Sequence, residues 1–147
     1  MTEYQIRQSI RQQELEIERL RAEIRDCQGK IDKLESFNGC LASYRCLFEE
    51  QVSLGSSKLS TISSMANPPH SVQSYVQSMR GSLTGGKYGS ALGSLDNAKS
   101  KAIRAIDSMR ADISTKQQSI RNCEARIEVL RQQLRVLAIQ QNQENQA

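Results

Sequence analysis

Residues 6–34 read "IRQSIRQQELEIERLRAEIRDCQGKIDKL" and carry a regular apolar pattern. Steps of four and three residues, continued as far as Val52, meet apolar side chains at almost every position, and only Gln13, Asn38 and Arg45 interrupt this series. Apolar residues at this spacing form one stripe along an α-helix, as in a coiled coil. The stretch is also rich in Gln, Glu, Arg and Leu, which favour helix. The sequence therefore predicts a long helix in the N-terminal third of the chain.

A second apolar series with the same spacing runs from Leu92 to Leu137. Two such series, joined by a segment that contains helix breakers, predict an all-α fold. We expect a long antiparallel helical hairpin, or intramolecular coiled coil, with short helices and a glycine-rich turn at one end. The expected single domain has helices over residues 3–54 and 91–138, a connecting segment at 55–90 and a polar, frayed tail at 139–147.

The heptad pattern leaves the register of the hairpin open. One register places Ile10 opposite Leu137 and Ile17 opposite Leu130, so that apolar residues meet in each layer. A slip by a whole heptad satisfies the same pattern. The stretch "FNG" at Phe37–Gly39 is the expected site of a kink in the first helix.

Two short helices are predicted in the connecting segment, separated by "NPPH" at Asn67–His70. Proline breaks a helix, and Ser71 is a suitable cap for the second one. His70 is expected to be a surface turn residue. The apolar residues assigned to the two helices are Leu59, Ile62 and Met65, followed by Val72, Tyr75, Val76 and Met79.

The cysteines and charges argue against several classes of protein. The four cysteines lack C-x-x-C spacing and the chain has one histidine, so we expect free thiols in the apolar core and no metal site. Basic and acidic residues are interleaved rather than gathered in a basic patch, so nucleic-acid binding is not expected. The cysteines are Cys27, Cys40, Cys46 and Cys123.

No apolar run approaches the ~20 residues of a membrane span, so membrane insertion is not expected. The N-terminal "MTEYQIRQSI" has no apolar region of the signal-peptide kind. These features predict a cytoplasmic protein and leave a dedicated export route open.

The stretch "GSLTGGK" at Gly81–Lys87 fits the G-x-x-x-x-G-K of a phosphate-binding loop. That loop requires Ser or Thr after the lysine and a strand before the first glycine. Here Tyr88 follows the lysine, and the preceding "SVQSYVQSM" is an amphipathic helix. We therefore expect a turn between helices, with positive φ and a close backbone approach at glycine, and no nucleotide or other cofactor.

The segment around this turn resembles the WXG superfamily of small helical proteins exported by type VII secretion. "LTG" at Leu83–Gly85 stands where that family has Trp-x-Gly. The following "KYGSALGSLDNAKSKAIRAIDSM" is similar to a longer branch that begins with a charged coiled helix and accompanies LXG-domain toxins. Two features depart from the family: Leu83 replaces the Trp, and no tyrosine follows Tyr88 to form the C-terminal Tyr-x-x-x-Asp/Glu export signal.

This resemblance implies a non-enzymatic, chaperone-like targeting partner for the helical domain of an LXG toxin. A second small WXG-like protein as a further partner, and export together with the toxin, are left open. The competing hypothesis is a self-assembling structural coiled coil, such as a scaffold, phage or spore component. The residues show no acid–base pair, nucleophile set or metal cluster, so we expect no catalytic residues.

The apolar stripe widens towards the turn, and a wider face must contact more than one helix. We expect either the short helices of the connecting segment or a partner to cover this face. The candidate partner-binding residues are Phe37, Tyr44, Leu47, Phe48 and Ile103, with Leu83, Gly85 and Tyr88 at the turn.

Overall fold

The computed structural model describes residues 1–64 and 68–146, with only the backbone of Thr84. These residues form α1 (Glu3–Ser63), α2 (His70–Thr84) and α3 (Gly86–Gln146), and none of them lies in a strand. The all-α prediction is therefore confirmed.

Both long helices extend beyond their predicted ends. α1 continues without interruption through Phe37–Gly39 and takes in Leu59 and Ile62, so the separate first short helix is wrong; Met65 lies outside the described residues. α3 continues to Gln146, so the predicted frayed tail is wrong as well. The tail is rich in glutamine and contains neither Gly nor Pro, so it has no strong helix breaker.

The start of α2 also differs from the prediction. The helix begins at His70, and Pro69 occupies the N-cap position without a side-chain cap, so Ser71 is not the cap. Proline has a fixed φ that is compatible with a helix start, and here φ is −55°. The carbonyl of Pro69 accepts hydrogen bonds from the backbone N–H groups of Val72 (3.0 Å) and Gln73 (3.1 Å). His70 is exposed, as expected, but lies in the helix rather than in a turn.

The chain divides into two compact units, and their folding as a single domain stays a prediction. Unit 1 comprises Met1–Asp32 and Asp107–Ala147, and unit 2 comprises Lys33–Ile106. Buried apolar side chains form a core in each unit. They are Ile6, Ile17, Leu20, Ile31, Ile127 and Leu130 in unit 1, and Leu59, Val76, Ala102 and Ile106 in unit 2.

The prediction that the cysteines lie in the apolar core is wrong for Cys40 and Cys46, which are exposed on α1. Cys27 and Cys123 are half-buried.

Ion pairs show that α1 and α3 run antiparallel within unit 1. Glu14 pairs with Arg131 at 4.0 Å, and Arg21 pairs with Glu124 at 3.7 Å. Residue numbers rise along α1 as they fall along α3, which confirms the antiparallel arrangement for this unit. These pairs are exposed, and each is worth about 0.2–1 kcal/mol.

The register in unit 1 differs from the one predicted. Ile10 lies in a surface groove with Leu134 rather than Leu137. Ile17 shares another groove with Ile127. The predicted register was wrong by about half a heptad. Such a shift only exchanges the a and d core positions that face each other across an antiparallel coiled coil. Both positions are apolar here, so the apolar pattern does not distinguish the two registers.

A charged residue in the apolar series marks the observed register. The side chain of Lys116 is only 22% exposed, and its Nζ lies 3.7 Å from a carboxylate oxygen of Glu23 and 4.0 Å from Sγ of Cys27. A single polar core residue specifies register in coiled coils. The layer of Lys116, Glu23 and Cys27 therefore helps to specify the register, which the apolar pattern alone leaves open.

Candidate partner-binding surface

Three of the predicted partner-binding residues pack inside unit 2. The rings of Phe48 and Tyr88 stack with centroids 5.3 Å apart and planes inclined by 17°. Leu83 lies so close to Gly55 that a Cβ there would be 3.1 Å from its Cδ1. All three side chains are half-buried and join α1 to α2 and α3. Their contact with a partner stays a prediction.

Gly85 separates α2 from α3. Its φ of −85° and ψ of −163° are extended, so the predicted positive φ is wrong. The predicted close backbone approach is confirmed, because a Cβ on Gly85 would lie 2.3 Å from the carbonyl oxygen of Gly81. Glycine is needed here for space rather than for its left-handed conformations.

Gly85→Ala should lower the free energy of unfolding by about 1–2 kcal/mol, because the new Cβ must displace backbone. Guanidinium denaturation followed by far-UV circular dichroism measures the change. Gly86→Ala is the matched control, since a Cβ at Gly86 meets nothing within 4 Å. Equal losses of stability for the two variants would show that the close approach to Gly81 does not constrain the junction.

The stretch that matches a phosphate-binding loop is helical on both sides of Gly85. Residues before Gly81 belong to α2, as predicted, and Lys87 is an exposed residue in the first turn of α3.

We expect isothermal titration calorimetry to show no ATP binding at micromolar concentration for the wild type, and no change for Lys87→Ala. ATP affinity that disappears in this variant would contradict our reading of the stretch.

An exposed apolar stripe runs along α1 in unit 2. Its members, separated by steps of three and four residues, are Phe37 (46% exposed), Cys40, Tyr44 (64%), Leu47 (55%) and, after the polar Gln51, Leu54 (55%). We call this set the α1 stripe. The possibility that the short helices cover this face is wrong for these residues, because their side chains are exposed.

The paired helices of unit 2 have two different sides. Arg45 of α1 pairs with Glu49 and reaches across to Asp96 of α3, which marks one side of the interface as the ion-pair side. The pKa of Arg45 is raised by the hydrogen bond to Glu49 and by the charge of Asp96. Ile103 follows Asp96 by one heptad, so it lies on the same side.

The α1 stripe lies on the opposite side, which we call the open side. Phe37 and Tyr44 each precede a core position of α1 by one residue, whereas Glu49 follows one, and a helix turns about 100° per residue. The predicted partner-binding residues therefore do not form one patch. The structure brings Phe37, Tyr44 and Leu47 together, but it places Ile103 across the interface from them.

Sequence reasoning missed Leu54, although its heptad spacing from Leu47 was a usable signal.

No helix in the described part of the chain is both long and apolar enough to span a membrane. Residues 1–64 and 68–146 contain no group of three or more His, Cys, Asp or Glu side chains arranged to hold a metal ion. Compared with known proteins, the chain matches no family model, no curated protein and no solved structure.

Proposed function

We propose that this protein is a non-enzymatic helical binding protein that holds a helical partner on unit 2. The α1 stripe is the observation that carries the proposal. Four large apolar side chains between Phe37 and Leu54 are each at least 46% exposed along one helix face. Large apolar side chains exposed together along one face mark interaction sites in soluble proteins, and heptad spacing suits a second helix.

The partner class follows from the resemblance in "LTG" at Leu83–Gly85 and in the segment after it. We propose a chaperone-like role towards the helical domain of an LXG toxin, with export of the pair by type VII secretion. The exposed stripe supports this role because a targeting partner must keep a docking face free until the toxin domain arrives. A self-assembling coiled coil is the second candidate, since the same stripe on another copy would also cover this face.

The role predicts a gene for an LXG-type toxin beside this one, and co-expression with the helical domain of that toxin tests it. We expect the two chains to copurify as a complex of defined stoichiometry by size-exclusion chromatography with light scattering. A neighbouring tail or capsid operon, together with a homo-oligomer that Leu47→Glu dissociates, would favour the structural coiled coil and contradict the targeting role.

A further inference from the structure

We propose that the open side of unit 2 receives one amphipathic helix of a different protein, with acidic residues along its edge, and that this helix completes a three-helix bundle. The inference rests on the proposed binding function and adds the position and charge of the partner helix. It follows from three features of unit 2: an apolar wall, a floor of small residues and a basic edge.

The α1 stripe forms the wall. Phe37 and Leu54 are separated by about 26 Å along the helix, which is nearly five turns. Steps of three and four residues are those of a coiled-coil core, so a helix laid along α1 meets one large side chain at nearly every turn. The polar Gln51 interrupts the stripe once.

Small residues of α3 form the floor. Ala98 and Ala105 are half-buried and lie one heptad apart. Ala98 follows Asp96 by two residues, and Ala105 follows Ile103 by two. Two residues turn the helix by about 200°, so the alanines lie on the open side, opposite the ion-pair side. Small side chains let helix axes approach closely, so a third helix fits between α1 and α3 without displacing either.

A basic edge on α3 borders this floor. Lys87 precedes Ala98 by eleven residues, about three turns of α3, so it points within about 20° of Ala98 and lies on the open side. It lines a surface depression of about 250 Å³ together with Phe48 and Ala91. Lys101 follows Lys87 by two heptads and therefore lies on the same edge. Both lysines are exposed, and neither forms an ion pair with another described residue. A partner helix with acidic residues along this edge would complement both charges.

A second copy of the chain fits this edge less well. The residues flanking the α1 stripe on its outer side are Ser36, Ser43, Glu50 and Ser57, so a stripe from another copy brings one carboxylate. A helix of a different protein, apolar on one face and acidic along its edge, would contact the α1 stripe and pair with Lys87 and Lys101 at the same time.

Two synthetic amphipathic peptides of about five helical turns test the proposal. They share a leucine core and differ only in carrying glutamate or lysine at the flanking positions. We expect the glutamate peptide to bind the full chain about tenfold more tightly at low salt, by fluorescence anisotropy. Lys87→Glu combined with Lys101→Glu should reverse this preference. The matched control, Lys99→Glu with Arg104→Glu, makes the same charge change outside the groove and should not reverse it.

Equal binding of the two peptides, or reversal by the control variant, would overturn the acidic edge while leaving the proposed function standing. Binding of neither peptide would overturn the groove as a helix site. A homodimer in sedimentation that Tyr44→Glu dissociates would assign the open side to a second copy instead. Failure of the proposed function is a separate result, namely absence of copurification with the LXG-type domain.

Discussion

Leu130→Ala should lower the free energy of unfolding by about 2–5 kcal/mol, because removing a fully buried leucine side chain loses its burial and leaves a cavity. Leu130 is 0% exposed in the core of unit 1. The narrow interface of a two-helix unit offers few neighbouring side chains to fill the space. Denaturant unfolding followed by circular dichroism measures this loss.

Val129→Ala is the matched control in the adjacent position of the same helix. Val129 is 49% exposed, so its truncation should change the free energy of unfolding by no more than about 0.5 kcal/mol. If both variants lose the same stability, the assignment of the buried face of α3 is wrong.

Tyr44→Ala combined with Leu47→Ala should weaken binding of the LXG-type helical domain by about 2–4 kcal/mol, while leaving the melting of the isolated chain nearly unchanged. The reason is exposure: these side chains are 64% and 55% exposed in the free protein. Their apolar surface is therefore available to a partner and contributes little to the stability of unit 2. Titration calorimetry and thermal melts of the same preparations separate the two effects.

Ile103→Ala is the control, and here the structure changes the expectation from sequence. Ile103 is also exposed (43%), but it lies on the ion-pair side with Asp96. Its truncation should leave partner binding unchanged. Loss of binding in this variant, with retention in the Tyr44/Leu47 variant, would move the binding site to the ion-pair side.

The helices were predictable because their signal is local. Apolar residues from Ile6 onward recur at helical spacing, and the core residues Ile17, Leu20 and Ile31 of that series are buried as expected. The ends were not predictable, since Gly55 and the glutamine-rich tail carry weak or no stop signals.

The register and the sides of the helices depend on contacts between distant residues. The positions of Lys116 beside Glu23 and of Arg45 beside Asp96 arise only when α1 and α3 meet. The sequence shows that Phe37 and Ile103 are apolar residues outside the core positions of a two-helix interface. It does not show on which side of that interface each residue lies. The sequence therefore identified candidate residues for the surface, but their division between the two sides of unit 2 required the structure.

The distinction between Cys40 and Cys46 offers the most direct test of the claim that the open side binds a helix. Both thiols are exposed on α1, and they point about 120° apart because they are six positions apart along the helix. Only Cys40 belongs to the α1 stripe. Thiol alkylation with peptide mapping, with and without the glutamate-edged peptide at saturation, should show protection of Cys40 and continued modification of Cys46. Unchanged modification of Cys40 in the saturated complex, or protection of Cys46 instead, would show that the open side does not bind the helix.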